Sequence, residues 1–346
     1  MKNLWLACIL IISGTLKGQL TDFSEINFAR VDSIAGLYQG TNLSNLPQLT
    51  YQLTHNLDTE VEKFRALYIW VCTNIANDYL AYQKNKRKRE SLRHDSLKLA
   101  EWNHSFSQEM FRTLYRERKT VCTGFAFLLQ EMSTIAGIPC RIVNGYARTS
   151  YANVDALGMP NHSWNAVQLN GKWYLCDPTW SSGNLYTHWG TTLFVPEFNE
   201  GFFLTEPAFF FRSHYPEDTA WTLMNGASVR DFLDAPILYN AAFKHSLNPL
   251  APQSMHIETA KRDTLRFILA TGGKVDAGQI YLELHSGSHS RTAQPEVISN
   301  KGGVLVLEYR FHKSGYYDLH LKVGEDYIAT YTASVPKRRK ERKADL

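Results

Sequence analysis

Asn170-Gly171 stands between two runs that read as strands, 162–169 and 172–178. Asn-Gly is the dipeptide a two-residue type I′ hairpin asks for, because both central residues need positive φ. Such a short loop fixes the pairing. Leu169 pairs with Lys172, so paired positions sum to 341 and Asp177 falls opposite Trp164. His162 lies two residues further along on the same face. His162 and Asp177 are then diagonal neighbours, about 7–8 Å apart at the backbone, a span that a histidine–carboxylate hydrogen bond closes. A one-residue slip would put them on opposite faces.

The segment before this hairpin is equally constrained. Phe125, Leu128, Leu129, Met132 and Ile135 share one side of a helix over 123–136. Gly137 stands where a left-handed C-terminal residue belongs, and Pro139 forbids continuation. A third strand is expected over 140–147. Cys122 opens the helix, 40 residues before His162.

A thiol attacks as its thiolate, and a free thiol holds little of that form at neutral pH. The start of a helix favours negative charge, and the N–H of Cys122 is placed to donate to an oxyanion. Gly124 allows close backbone approach. Cys122 as nucleophile, His162 as base and Asp177 as orienting carboxylate are the parts of a thiol acyl-transfer site. The bland alternatives are a structural cysteine, an exposed histidine and a turn-forming Asp before Pro178. Cys72, Cys140 and Cys176 are read as structural thiols, with a disulfide left open. His188 is a rival base, less well placed by the ladder. Trp164 and Trp180 fall near the site and, with Gly124, are candidates for a substrate groove; for the two tryptophans core packing is the plainer reading.

Four motifs carry a family resemblance: Val121-Cys-Thr-Gly-Phe, Ala136-Gly-Ile-Pro, Asn161-His-Ser-Trp-Asn and Trp173-Tyr-Leu-Cys-Asp-Pro-Thr-Trp180. Together they resemble the core of the transglutaminase-like superfamily. Upstream, Tyr68-Ile-Trp-Val-Cys-Thr-Asn-Ile-Ala-Asn-Asp78 is similar to the helix that precedes that core, although Ala76-Asn77-Asp78 replaces the usual Tyr-Asp pairing. Downstream, Phe203-Leu-Thr-Glu-Pro, His214-Tyr-Pro-Glu-Asp and Trp221-Thr-Leu resemble the kyphoscoliosis-peptidase-like branch. The resemblance runs over roughly residues 60–225. It implies an α+β, papain-like core with Cys122, His162 and Asp177 in the three catalytic roles. The superfamily includes cross-linkers, deamidases, peptidases, peptide N-glycanases and inactive members, so it leaves the reaction open. No calcium-site acid cluster of the cross-linking kind stands out.

The remaining chain frames this core. At 346 residues the length suggests two domains. Lys2 followed by an apolar run from Leu4 to Ile12 reads as a secretory signal, 1–19, too short to span a bilayer. No other transmembrane candidate follows it, and an exported, periplasmic or extracellular, location is expected. The catalytic core is expected over 20–235, loop-rich over 20–55, helical over 58–80, and made of helical and loop elements over 185–235. A basic run over 84–93 reads as a solvated helix end, with a polyanion or substrate patch as the sharper alternative. From 250 to 335, five or more short strands suggest an all-β domain, a sandwich of immunoglobulin type. A basic tail over 336–346 ends the chain. His94, His104, His188 and His214 show no metal-ligand spacing, so neither metal nor cofactor is expected. A net charge of +4 and the lack of a phosphate loop or nucleic-acid motif give no reason to expect a nucleic acid. The expected partner is a protein or peptide substrate, and the oligomeric state is open. The competing reading is a scaffold that keeps the fold for binding.

Overall fold

The computed structural model describes residues 19–273 and 275–336. The expected leader and basic tail lie outside the described residues, apart from their inner ends at Gln19 and Pro336. Among the described residues no helix is long and apolar enough to cross a membrane.

Two helices, α1 (Ala29–Leu37) and α2 (Leu46–Thr54), occupy the segment expected to be loop-rich. Each is only 9 residues long and lends just a few residues to the core, which leaves a weak periodic signal. They pack on α3 (Glu60–Asn74). Thr59 and Glu62 form a reciprocal capping box at its start. Its side chains from Phe64 to Cys72 are buried, which makes α3 the axis of the helical layer. Arg65, 2% exposed, is held by both oxygens of Asp32 and by Glu200, and lies over Phe203. This ties α1 and α3 to the segment beyond the hairpin.

The helix expected to run to about residue 80 stops at Asn74. A two-residue strand, β1 (Ala76–Asn77), follows it. Next come α4 (Tyr79–Ser91), which contains most of the basic run, and α5 (Ser96–Glu117). β2 (Lys119–Thr120) returns to pair parallel with β1. The helix α6 (Cys122–Ile135) then lies between α3 and an antiparallel sheet of order β5-β4-β3-β8. Its strands are β3 (Cys140–Ala147), β4 (His162–Leu169), β5 (Lys172–Cys176) and β8 (His214–Pro216). The pairing runs from Leu169↔Lys172 to Asn165↔Cys176, the register that Asn170 (φ 51°) and Gly171 (φ 79°) impose. Expected strand 172–178 ends earlier, at Cys176. Asp177 is instead the N-cap of the short helix α7 (Pro178–Ser181), because Pro178 suits the first helical position. The stretch after it, expected to be helical or irregular, opens with a hairpin of β6 (Gly183–His188) and β7 (Thr191–Pro196).

The C-terminal region is largely antiparallel strands in two sheets, consistent with a sandwich. One has the order β10-β12-β16-β15 and the other β11-β18-β17-β13-β14, with β9 on β18. These are β9 (Ile237–Leu238), β10 (Leu247–Ala251), β11 (His256–Glu258), β12 (Thr264–Thr271), β13 (Ile280–Ser286), β14 (His289–Ala293), β15 (Glu296–Lys301), β16 (Val304–Arg310), β17 (Gly315–Val323) and β18 (Asp326–Val335). Leu282 and Leu284, Leu305 and Leu307, and Leu319 and Leu321 alternate inward, as half-buried strands require. Their cluster is continuous with Trp164, Leu175, Phe202 and Phe210 of the first unit. The sheet of the first unit and the C-terminal strands therefore share one apolar cluster, beside a separate one around α3 and α6.

Candidate active site

Cys122 is presented by a strand that runs directly into a helix. Thr120 is held by β1 and accepts a hydrogen bond from the Asp78 N–H at 2.7 Å. Val121 is extended (φ −98°, ψ 177°), and Cys122 begins α6. Its N–H is one of the leading groups that have no carbonyl within the helix. A Cβ at Gly124 would meet Thr120 Oγ1 at 1.9 Å. Glycine there lets the first turn close against β2. It faces that packing contact and lines no groove, so its expected place in a substrate groove is corrected.

His162 starts β4 beside the nucleophile. Its Nε2 lies 2.7 Å from Asp177 Oδ2, so the diagonal placement expected from the hairpin closes as a hydrogen bond. The other ring nitrogen is left for the thiol, and the His162 ring is near enough to Cys122 to lower its pKa. The Ser163 backbone N–H acts on the thiol in the same direction. Cys122 is part-exposed, His162 is 7% exposed and Asp177 is fully buried. Of the three, Cys122 is the residue nearest to solvent.

Asp177 is saturated with donors. Oδ1 accepts from the N–H groups of Thr179 (2.8 Å) and Trp180 (3.2 Å), the cap of α7. Oδ2 accepts from His162 and from His214 Nε2, the latter at 3.1 Å. Its own carbonyl accepts from Tyr68 Oη of α3 at 2.9 Å. Burial by itself would raise this carboxyl, but the two histidines outweigh it and hold it well below the usual carboxylate range. Burial would likewise lower His162, and the charge and hydrogen bond of Asp177 overcome that and raise it. Burial would raise Cys122, yet the hydrogen bond and charge of His162 bring it below its ordinary value. The three shifts point in one direction, each favouring a thiolate–imidazolium pair backed by a carboxylate.

His214 and Tyr82 join this site although neither was expected there. His214, 1% exposed, sits on β8 and stacks on Phe210 at 4.0 Å. An ionised Asp177 offers only acceptors, so His214 donates from Nε2, while Nδ1 takes the Ser213 hydroxyl at 2.8 Å. Burial, the dominant effect, holds its pKa down at about 4, so it is neutral near pH 7. Gly145 makes this possible. A Cβ there would meet Tyr215 O at 2.2 Å and Trp164 Cη2 at 2.7 Å, and would push β8 off β3. Tyr82 on α4 is near enough to Cys122 that burial and then the thiolate charge raise its phenol to about 12.

Trp180 stands over the His162 ring at 5.2 Å and is half-buried, so it walls the site. Trp164 does not. It is 1% exposed and packed edge-on to His214 and Phe210, which corrects its expected place in a groove. His188 is the last residue of β6, at the turn of the β6–β7 hairpin, and the hydrogen bond to Asp177 Oδ2 belongs to His162. Cys72, Cys140 and Cys176 are buried free thiols, all raised by burial. His162, Asp177 and His214 bring ligand atoms within 4.8 Å of one another. Both imidazoles aim at the same Oδ2, so a cation there would have to displace both hydrogen bonds.

Comparison with known proteins finds similarity over this part of the chain. Residues 47–178 match the transglutaminase-like superfamily. Human Kyphoscoliosis peptidase is 33% identical over 221 residues, which are 63% of this chain and 30% of that protein. The mouse protein of the same name is 29% identical over 267 residues, 74% of this chain and 37% of its own. Hillarin of Drosophila melanogaster is 20% identical over 235 residues, 64% of this chain and 26% of its own. The chain spans about a third of the length of these curated relatives.

Proposed function

Starting from a chain that carries a transglutaminase-like domain, we propose that it is a thiol enzyme acting on amide bonds of proteins or peptides. Cys122 attacks the amide carbonyl and forms a thioester, while His162 gives its proton to the departing nitrogen. His162 then takes a proton from water, or from an amine, as that acceptor attacks the thioester and frees Cys122. Asp177 keeps the His162 ring oriented and supports its charge. The N–H of Cys122, at the positive end of α6, faces the negative charge that develops on the carbonyl oxygen.

The observation that carries this reading is the His162 ring fixed by Asp177 at 2.7 Å beside Cys122 at the start of α6. The test is acyl capture. The protein is mixed with a proteome-derived peptide pool, quenched in acid, and its Cys122 peptide is weighed by mass spectrometry. Acyl adducts that hydroxylamine releases, and that are absent from Cys122→Ala, are expected. A Cys122 that never becomes acylated would return the chain to the scaffold reading. We also propose export, on the basic start and apolar run at the N-terminus. Fractionation of cells expressing the full chain tests it, and recovery of the protein solely in the cytosol would contradict it.

A further inference from the structure

The helix α4 is tied at both ends to the segments that carry the site. At its start, Asp78 N–H is bonded to Thr120 O, two residues before Cys122. Near its end, Arg89 Nη1 donates to Pro160 O at 2.9 Å, two residues before His162. Its 13 residues reach about 20 Å, so one helix links the segments that deliver nucleophile and base.

Which face of α4 looks into the cleft follows from its contacts. Asn85 Oδ1 accepts from Trp102 Nε1 at 2.9 Å, and the Lys84 and Lys88 ammonium groups lie over the Trp102 ring. That side is held to α5. Tyr82, Lys86 and Arg89 follow one another at four- and three-residue spacing and share a different face. Tyr82 feels the Cys122 charge and Arg89 reaches Pro160, so Lys86 between them overlooks the groove.

The helix carries a large excess of positive charge, and Lys86 and Arg89 bring two of its cations to this face. Over residues 79–93 there are six cations and one acid, Glu90, which pairs with Arg93. Lys86 is exposed and makes no ion pair among the described residues. Arg89 Nε is shut off from solvent with no hydrogen-bond partner. Asp78, at the other end of the helix, is engaged by Lys119 at 3.4 Å. A cleft lined by one sign of charge focuses its field and concentrates the opposite charge.

We propose that the Tyr82–Lys86–Arg89 face of α4 is a substrate-selecting wall that favours polypeptide segments carrying Asp or Glu beside the reactive amide. The proposal rests on the thiol-enzyme reading, which makes the occupant a polypeptide and the recognised anion a carboxylate.

Two alkylating agents of similar size and different charge test the wall without a known substrate. Cys122 in the full chain is alkylated with iodoacetate and with iodoacetamide at low salt, and each adduct is located by peptide mass spectrometry. The iodoacetate-to-iodoacetamide rate ratio is expected to fall about twofold in Lys86→Gln and about fourfold in Lys86→Glu, with the differences collapsing near 0.5 M salt. Lys301→Glu, an equal charge change in the C-terminal sheets, leaves the ratio unchanged. A ratio insensitive to Lys86 while Cys122 stays fast overturns the wall alone. A Cys122 slow with both reagents, no faster than a free thiol, overturns the wall and the thiol-enzyme reading together. As a second measure, two peptidyl chloromethyl ketones differing only in Asp or Lys beside the reactive end are compared. The Asp peptide labels the wild type faster and loses that lead in Lys86→Glu. Equal rates for the two peptides contradict the proposal.

Discussion

Asp177 shows how much one buried carboxylate organises. Four donors converge on it, two from the backbone of α7 and two from histidines. Asp177→Asn presents an amide N–H₂ or a single acceptor where two imidazole N–H groups need one oxygen. His162 must then take the other tautomer, with its proton on the nitrogen that faces sulfur. The expected result is a Cys122 alkylation rate at pH 6.5 lower by roughly a hundredfold or more, in a protein that retains its circular dichroism. His214 makes a separate prediction, in stability. Its folded pKa is depressed from 6.5 to about 4, so the unfolded chain binds its proton first as pH falls. Stability from this group is present above 6.5 and is lost between 6.5 and about 4. Urea denaturation of His214→Gln should show about 1.5 kcal/mol less loss from pH 6.5 to 5 than the wild type. Equal losses would remove His214 from the account. His162 has the opposite sign, with stability lost as pH rises above its ordinary value. His214 was not legible in the sequence as a site residue. It lies 37 residues beyond Asp177 and arrives through the β3–β8 pairing, which no turn or spacing marks.

At the level of elements, legibility followed the reach of local rules. The strands 140–147 and 162–169 and the pairing of the Asn170-Gly171 hairpin emerged as read, because loop length and side-chain alternation fix them without tertiary help. The end of β5 did not, because a capping Asp before Pro reads like a strand residue until the donors behind it are seen. Helices α1 and α2 and the β6–β7 hairpin were missed for a related reason. Their order comes from packing on α3 and α4 and not from their own pattern. The close contact between β3 and β8 gives a prediction at this scale. Gly145→Ala places a methyl group against the Tyr215 carbonyl and the Trp164 ring. It should destabilise the protein by about 1–3 kcal/mol in urea and slow Cys122 alkylation in step, since β8 carries His214. A change in neither would show that β8 does not depend on Gly145.

Across the whole molecule, the sequence foretold an α+β core followed by strands but not the apolar cluster they share. Trp164, Leu175 and Phe210 belong to the same cluster as Phe267, Leu307 and Leu319. Arg148, 1% exposed, donates to the carbonyls of Asn153, Val154, Leu233 and Ala235, which clamps the loop before β4 to the connector. A chain cut after residue 235 should therefore expose apolar surface, bind hydrophobic dye and melt without a cooperative transition, while the full chain unfolds in one step. A native near-ultraviolet spectrum from the truncated chain would contradict this. The central claim, that this fold builds an activated thiolate, is tested most directly by the pH dependence of Cys122 alkylation. Rates with iodoacetamide are followed at the Cys122 peptide from pH 4 upward, for the wild type and for His162→Ala. The account predicts a wild-type thiol that titrates below its ordinary value of 9.0 and rises above it in His162→Ala, where burial and the Asp177 charge outweigh the Ser163 N–H. A wild-type Cys122 that titrates at 9.0 or higher and is indifferent to His162 would contradict it.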